Sequence, residues 1–478
     1  MSFIDGFKNI STVKTTENGA VAYNTVGSSL LDFFAVIGGM RNRDENEIIG
    51  MYHAARLEDK ELADKIVLYA RDIRGNGLGE RRIGRILLKE LAKLDPAKVK
   101  RNFSTFVENG RFDDLYVFEG TSVESDMWQY MKDVFIKDLT SMREGKTITL
   151  AAKWMKSINT SSNESRRLAK KFCAISNLSE KTYRKALSAL RKYLNVVETK
   201  MSANNWDSIN FSTVPSIAMK KYSSAFNSHC YDRFLEYKQK LITGKETINA
   251  KTLYPYNITY EFMYGDNADR DILEAQWKSL PNYFKEERRV ICCADVSGSM
   301  MGLPMAASVG LALYCAEHNT GAYHGSYLTF TDNPRFFELN ENATLEYNIS
   351  QIMKNVGYST NLDGALSAIF EVAKKEKDSP EALLIVSDSE IDWFISREDY
   401  EDIVVKWVRK YAEIGLECPK IIFWNVEARQ NTYLAKKSNP YVSFISGCSA
   451  GTFANLSELI DNTAYEAMVK ILNQYEYV

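Results

Sequence analysis

The stretch VICCADVSGSMMG, residues 290–302, runs from apolar and small residues into Asp295, which Ser297 and Ser299 follow at alternate positions. A short, continuous apolar run of this kind predicts a strand buried in the middle of a sheet. The alternate spacing lets an extended turn direct one carboxylate and two hydroxyl oxygens at a single point. Because Mg²⁺ and Mn²⁺ prefer such oxygens as ligands, the stretch predicts a strand that ends in a cation-binding turn.

Downstream of residue 289, predicted strands alternate with predicted helices. The strand segments read RVICCA, GSYLTFT, ALLIVS, KIIFWNV and YVSFIS. This alternation predicts a doubly wound, Rossmann-like parallel sheet with helices on both faces over residues 289–478. Ligands of such sheets lie at the carboxyl ends of the strands. Two later loops reach that edge, since Thr360 precedes a predicted helix and Asp388 follows a predicted strand, and we expect both residues to complete the site.

Residues 28–255 show a helical pattern instead. In ELADKIVLYARDI, for example, apolar residues recur at three- and four-residue spacing, and strand-like alternation is nearly absent from the region. We expect a domain of stacked, HEAT-like helix pairs here. An extension over 1–27 precedes this domain, and a connector over 256–288 follows it. With 478 residues the chain is long enough for two domains, so the predicted fold class is α plus α/β.

The two predicted domains differ in charge. Residues 290–478 contain 14 Lys and Arg against 25 Asp and Glu, a net −11 in a chain whose total is −2. Residues 151–252 contain 19 basic against 7 acidic residues, a net +12. Opposite charges favour different partners for the two halves, although a solvated face on each half would give the same composition.

Three basic segments are candidates for binding nucleic-acid phosphates. In RDIRGNGLGERR the arginines either hold phosphates or pair with Asp72 and Glu80, and the glycine spacing does not match a dinucleotide loop. SSNESRRLAKKF and YRKALSALRKYL predict consecutive basic helices without compensating acids, whose tyrosines either stack on bases or lie in the core. The candidate RNA-binding residues are Arg71, Arg74, Arg81, Arg82, Arg166, Arg167, Lys170, Lys171, Arg184, Lys185, Arg191 and Lys192.

The predicted cation ligands Asp295, Ser297, Ser299, Thr360 and Asp388 resemble the metal-ion-dependent adhesion site of von Willebrand A domains in order and in loop placement. The resemblance implies a bound Mg²⁺ or Mn²⁺ with one coordination position open to an acidic group of a partner, and therefore recognition without chemistry. The alternative is that the two serines only cap the following helix.

The third loop departs from the pattern of that family, since SDSEID stands where Thr-Asp-Gly is more usual. Glu390 and Asp392 in this loop either add charge to the site or are solvated turn residues, and we favour the second interpretation.

Helical repeats followed by an A domain are similar to the TROVE proteins, which include the Ro ribonucleoproteins. The phrases YARDIRGNGLGERR, VENGRFDDL, AAKWMKSINTSSNESRRLAKKF, YRKALSALRKYLNVVETKMSANNWDSINFSTVPSIAM and SDSEID resemble a branch of TROVE-like proteins of phages, bacteria and plants. The resemblance implies a helical domain that closes into a ring and binds small non-coding or misfolded RNA.

No catalytic constellation stands out, so we expect a binding protein and not an enzyme. No apolar run is long enough for a membrane helix, no signal peptide is recognisable, and the dispersed cysteines indicate a reducing, cytoplasmic location. The resemblance to the TROVE-like branch implies that the cell is a bacterium or a phage-infected host. Two alternatives stay open. One is a metal-dependent protein assembly module without RNA, and the other is a nuclease that uses Asp295 and Asp388.

Overall fold

A computed structural model of the chain describes residues 13–17, 19, 21–250, 252–266, 268–331, 334–357, 361–390 and 400–478, with the side chains of 400–402 left aside. The chain forms two compact units. The first, here the sheet unit, comprises Met1–Ile83 and Asn249–Tyr475, and the second, the helical unit, comprises Gly84–Ile248 and Glu476–Val478.

The sheet unit is built on six strands in the order β5-β4-β3-β6-β7-β8. All neighbours are parallel except the edge pair β4 and β5. Strands β3, β6, β7 and β8 are buried along their whole length, which explains their continuous apolar sequences. The strands are β3 Val290–Asp295, β4 Ser326–Phe330, β5 Phe336–Glu338, β6 Ala382–Ser387, β7 Lys420–Asn425 and β8 Val442–Ser446. The predicted parallel sheet is therefore confirmed.

Helices of the sheet unit alternate with these strands. Downstream of β3 they are α16 Leu303–His318, α17 Leu345–Met353, α18 Leu362–Glu376, α19 Tyr400–Glu413, α20 Leu456–Asp461 and α21 Ala464–Leu472. Helix α16 is the first α-helix after β3, and it is buried over almost its whole length, since every residue from Pro304 to Ala316 is enclosed.

The predicted connector is also helical. It contains α14 Pro255–Tyr264 and α15 Arg270–Lys278. The hydroxyl of Thr259 on α14 donates to the Ala306 carbonyl of α16 at 2.6 Å, and Gly310 of α16 permits this approach because a Cβ there would lie 2.9 Å from Thr259 Oγ1. The segment is thus part of the sheet unit, which the turn residues and aromatics of its sequence did not indicate.

The N-terminal segment also belongs to the sheet unit, although the sequence grouped residues 28–83 with the later helices. It contains the antiparallel pair β1 Val13–Thr15 and β2 Val21–Tyr23, then α1 Ser29–Val36, α2 Glu45–Glu58 and α3 Lys60–Arg71. Apolar α1 packs on β8, where Ser446 Oγ accepts from the Gly38 amide at 2.9 Å. A Cβ at Gly38 would lie 2.6 Å from Gly447 Cα, so glycine is required for this close approach.

The helical unit consists of helices that range from 4 to 20 residues in length. Its boundary falls inside α4 Arg81–Leu94, and the others are α5 Pro96–Arg101, α6 Phe103–Asn109, α7 Glu124–Arg143, α8 Ala151–Trp154, α9 Asn163–Ile175, α10 Glu180–Tyr193, α11 Val197–Ser202, α12 Ser216–His229 and α13 Tyr231–Ile242. Phe135, Phe172 and Tyr183 join α7, α9 and α10 through ring contacts of 5.4–5.6 Å between centroids. Tyr183 therefore lies in the core, whereas Tyr193, the second tyrosine of the basic segment YRKALSALRKYL, is 42% exposed.

Candidate cation site and basic helix surface

The carboxyl edge of the sheet holds two buried aspartates. Asp295 is the last residue of β3, and Asp388 directly follows β6. Because β3 and β6 are parallel neighbours with Ala294 opposite Val386, both carboxylates emerge at the same edge. Their residues are only 1% and 2% exposed. The register of two adjacent strands thus brings together side chains that are 93 residues apart in the sequence.

The turn after β3 gathers three of the predicted ligands. The Ser297 amide donates to Asp295 Oδ1 at 2.9 Å, and the Ser297 and Ser299 hydroxyls lie 3.1 Å apart. A 3-10 helix at Gly298–Met300 carries Ser299, which is exposed. The Ser297 side chain makes no capping hydrogen bond to this helix, and the residue at the N-cap of α16 is Gly302. Helix capping therefore does not account for the two serines.

Electrostatics at Asp295 favour a cation. Burial, followed by the charge of Asp388, raises the pKa of this carboxyl to about 7, and hydrogen bonds from Ser297 and Ser387 oppose the shift. Within the described part of the chain, no basic side chain forms an ion pair with Asp295. A divalent cation would supply the missing positive charge, and the carboxylate and hydroxyl oxygens suit Mg²⁺ or Mn²⁺.

Asp388 is differently arranged, because both of its oxygens have donors. The Glu390 amide donates to Oδ1 at 3.0 Å, and the guanidinium of Arg429 donates to Oδ2. Arg429 also lies 3.6 Å from the carboxylate of Glu17, in the turn between β1 and β2. Neither Arg429 nor Glu17 was predicted from the sequence, since they lie 41 and 371 positions away from Asp388 in the chain.

The turn that carries Asp388 is tightly held. Ser389 stands where glycine is more usual in the resembling family, and its φ of 65° is the left-handed conformation that glycine favours. Asn425 of β7 donates to its hydroxyl at 3.1 Å. Glu390 is 3% exposed and accepts from the Glu17 amide at 2.6 Å and from Thr432 at 2.9 Å, so its interpretation as a solvated residue is wrong.

Two residues of this region, Thr360 and Asp392, lie outside the described residues. Among those that the structure describes, no three His, Cys, Asp or Glu side chains are grouped so as to hold a metal ion. The set at Asp295 is of another type, because two of its three oxygens belong to hydroxyl groups.

The glycine-rich segment after α3 folds around an acid. Asp72 is 2% exposed, and its carboxylate accepts from the amides of Arg74, Gly75 and Gly77 and from the Tyr475 hydroxyl. The amide groups thus point inward and leave no cradle for phosphate. Arg71 is 3% exposed, which removes it from the set of phosphate-binding candidates, whereas Arg74, Arg81 and Arg82 are exposed.

Acids compensate the basic residues of α9, contrary to the sequence-based expectation. Arg167 pairs with Glu119 at 2.5 Å and with Glu164 at 2.7 Å. Lys171 pairs with Glu119 at 2.7 Å and with Glu124 at 2.5 Å. Arg166 donates to Asn163, and Lys170 lies 3.5 Å from Glu180. The face of α9 is therefore largely neutralised, by Glu164 of α9 itself and by acids from other elements.

One arginine of α10 has a structural role. Arg191 donates to the Ala152 carbonyl at 2.9 Å, the Met155 carbonyl at 2.7 Å and the Ser157 hydroxyl at 2.8 Å. Burial lowers the pKa of its guanidinium. All three acceptors lie in or just after α8, so Arg191 fastens α10 to that segment and is not available to a ligand.

The other basic residues of α10 remain exposed. Arg184, Lys185 and Lys192 face solvent, and so does Lys181, which sequence reasoning missed although it stands four residues before Lys185 on the same face. None of the four has an acidic partner within 4 Å among the described residues. We call these four residues the α10 basic face.

No helix in the described part of the chain is long and apolar enough to cross a bilayer. All seven cysteines are free thiols.

Comparisons with known proteins give matches along most of the chain. Residues 171–289 match DUF2828 and residues 289–469 match DUF7788, both domains of unknown function. The chain is similar to Uncharacterized protein L728 of Acanthamoeba polyphaga mimivirus, with 27% identity over 518 residues, 98% of this chain and 88% of that protein. It is also similar to the crystal structure of the Deinococcus radiodurans Ro (RSR) protein, with a TM-score of 0.46, 14% identity and coverage of 94% and 100% of the two chains.

Proposed function

We propose that the protein is an RNA-binding scaffold of the cytoplasm, with a von Willebrand A-like sheet unit that holds Mg²⁺ or Mn²⁺ to recognise an acidic partner. The observation that supports RNA binding is the α10 basic face. It lies in a helical unit whose main segment, residues 84–248, contains 29 Lys and Arg against 18 Asp and Glu, a net +11.

The spacing of the α10 basic face suits a phosphate backbone. Lys181, Lys185 and Lys192 recur at intervals of four and seven residues, which places them along one side of α10, with Arg184 beside them. A row of unpaired cations binds successive phosphates and releases their counterions, so affinity falls steeply with salt. A face of this kind positions RNA through its backbone and does not require a particular base sequence.

The cation site supports a role in recognition. Asp295 and Ser297 are buried, whereas Ser299 is exposed, so the ion would sit at the surface with part of its shell open to solvent or a partner. Ligands from a partner that complete such a shell are hard oxygens, above all carboxylates. The proposed role is therefore the binding of an acidic group, without catalysis.

The test of RNA binding is a filter-binding titration over a range of salt concentrations. The probe is a short labelled RNA with one hairpin and one single-stranded tail. Wild type is compared with the triple variant Arg184→Gln, Lys185→Gln and Lys192→Gln. We expect the variant to lose about tenfold or more in affinity, and the slope of log K against log salt to flatten by about 2.

The matched control is a second triple variant, which removes three positive charges from exposed or half-exposed positions of α7 in the same unit. Its substitutions are Lys132→Gln, Lys137→Gln and Arg143→Gln. It should keep most of the affinity. Equal losses in both triple variants would attribute binding to net charge alone, and a wild type that retains no RNA at low salt would contradict the proposal.

A second candidate is a protein assembly module without RNA. The observation in its favour is Met301, which is 77% exposed although it follows the cation-binding turn directly. An exposed methionine beside a cation is suited to a protein surface that offers a carboxylate with apolar neighbours. This candidate predicts that a pull-down with the wild-type chain recovers a partner protein in Mg²⁺ but not in the presence of a chelator, and that the same fraction contains no RNA. The partner should be lost in Asp295→Ala, and its binding should be weaker in Met301→Ser.

A further inference from the structure

Arg429 already places a positive charge at the edge where the cation would bind. Its guanidinium donates to Asp388 Oδ2, and Asp388 is one of the two buried carboxylates at this edge of the sheet. The other carboxylate, Asp295, ends the neighbouring parallel strand β3, where Ala294 lies opposite Val386 of β6, so both carboxylates leave the sheet at the same edge. The Arg429 side chain is 35% exposed, whereas that of Asp388 is 1% exposed.

A second acid stands next to the arginine. Arg429 Nη1 lies 3.6 Å from Glu17 Oε2, in the turn between β1 and β2. This turn is fixed to the same edge, because the Glu17 amide donates to Glu390 Oε2 at 2.6 Å and Gln430 Nε2 donates to Glu17 Oε1 at 3.1 Å. The guanidinium therefore pairs with one buried acid, Asp388, and one acid at the surface, Glu17, and the charge of buried Glu390 also acts on it.

We propose that Arg429 is a built-in competitor of the divalent cation, which exchanges its bond to Asp388 for one to Glu17 when the cation binds. This inference rests on the proposed cation site. It assigns to Arg429 and Glu17 the regulation of that site, with Arg429 weakening cation binding and Glu17 restoring part of it.

The physical argument is one of charge. A guanidinium stays protonated at every relevant pH, so it cannot lose its charge when the cation arrives. In the proposed site, Asp295 coordinates the divalent cation and Asp388 lies beside it. The cation would repel a guanidinium that stays bonded to Asp388 Oδ2, and this repulsion is strong because a buried site screens charges poorly. Rotation toward Glu17 keeps the arginine paired while Oδ2 becomes available to the cation or to a water in its shell.

The experiment measures Mn²⁺ binding by the electron paramagnetic resonance signal of the free ion, with the full chain at pH 8. The variants are Arg429→Met, Glu17→Gln and Asp295→Ala. The control is Arg409→Met, which removes the same charge from an exposed position on α19. Since α19 runs back from the carboxyl edge, Arg409 lies roughly 14 Å along the helix from its first residue.

We expect Arg429→Met to bind Mn²⁺ about tenfold or more tightly than wild type, because one positive charge near the ion is removed. Glu17→Gln should bind it several-fold more weakly, because Arg429 loses its second partner. Arg409→Met should match wild type. Without metal, Arg429→Met should melt at a lower temperature than wild type, since buried Asp388 loses its counter-charge, and Mn²⁺ should raise its melting temperature more than that of wild type.

Failure of this inference differs from failure of the proposed site. If wild type binds Mn²⁺ and Asp295→Ala does not, but Arg429→Met binds no more tightly than wild type, competition is wrong and the site stands. If Arg429→Met does not fold, the Mn²⁺ affinity of Glu17→Gln tests the proposal by itself. An affinity equal to or higher than that of wild type then refutes the exchange of Arg429 between Asp388 and Glu17. If Asp295→Ala binds as wild type does, or if no variant binds Mn²⁺, the cation site itself is wrong.

Discussion

Nη2 of Arg167 lies 2.5 Å from Oε2 of Glu119, although 48 residues separate the two in the chain. The same carboxylate also accepts from Lys171 at 2.7 Å. The hydrogen bond from Arg167, with that from Lys171 and the two charges, lowers the pKa of Glu119 to about 2. One acid thus holds two of the cations that make α9 look like a nucleic-acid-binding helix in the sequence.

Replacement of that acid should strengthen RNA binding. In Glu119→Gln the net charge rises by one, and Arg167 and Lys171 become free to contact phosphates. We expect affinity for the RNA probe to rise several-fold, and the salt slope to steepen by about 1. The control Glu108→Gln makes the same charge change at an exposed glutamate with no ion pair within 4 Å among the described residues, and it should have a smaller effect. A fall in affinity in Glu119→Gln would show that the α9 ion pairs support the binding surface.

Adjacent residues of α10 should separate stability from binding. Arg191→Ala removes three hydrogen bonds from a half-buried cation and leaves two carbonyls unpaired, so we expect a loss of about 3 kcal/mol in unfolding free energy. Lys192→Ala should change stability by less than about 0.5 kcal/mol and weaken RNA binding instead. Urea unfolding and filter binding on both variants measure the two effects. If Arg191→Ala is as stable as wild type but binds RNA more weakly, Arg191 contacts RNA and its structural role is wrong.

The glycine segment after α3 should not tolerate a side chain. In Gly77→Ala the new Cβ would lie 2.5 Å from both the Tyr69 carbonyl oxygen and Asp72 Cβ, while the Gly77 amide must still reach Asp72. We expect a loss of about 2–3 kcal/mol in thermal or urea unfolding. Gly50→Ala is the matched control, because nothing lies within 4 Å of a Cβ there and alanine favours the helix by about 0.5–1 kcal/mol. Equal effects of the two substitutions would contradict the packing described for this segment.

The metal-free protein should become less stable as the pH rises toward 7. The pKa of Asp295 is about 7 in the folded chain, raised by burial and by Asp388 from the ordinary value near 3.8. The protonated carboxyl therefore contributes fully to the free energy of unfolding below about pH 4, and this contribution is lost as the pH rises through 7. At 1.36 kcal/mol for each unit of pKa, the loss amounts to up to about 4 kcal/mol.

Asp295→Asn should remove this dependence. With a chelator present, we expect the variant to melt above wild type at pH 8 and close to it at pH 4.5. Asp232→Asn, at an exposed position of α13, should follow wild type at both pH values. The affinity of wild type for Mn²⁺ should rise up to about tenfold per pH unit below 7 and level off above it, since the proposed ligand is the ionised carboxylate. A flat profile of Mn²⁺ affinity would exclude Asp295 as a ligand.

The sheet was predictable because its signals are local. Buried strands read as continuous apolar runs, and β3, β4, β6, β7 and β8 were all found in this way. The edge strand β5 was missed, since it has only three residues and one neighbour. Helices α14 and α15 were missed because turn residues and aromatics dominate the segment around them, and their burial against α16 supplies the stability that their sequences do not show.

The sequence by itself determined that the oxygens of Asp295, Ser297 and Ser299 follow β3, and that Asp388 lies at the same edge of the sheet. It could do so because the spacing of a turn and the direction of parallel strands are properties of short segments. Only the tertiary structure decided which charges remain free. Arg167, Arg191 and Asp388 each meet a partner that is tens of residues away in the chain, and such pairing depends on how distant elements pack. The net charge of a segment can be counted from its sequence, but the folded structure is needed to show which of its charged side chains lack an oppositely charged partner.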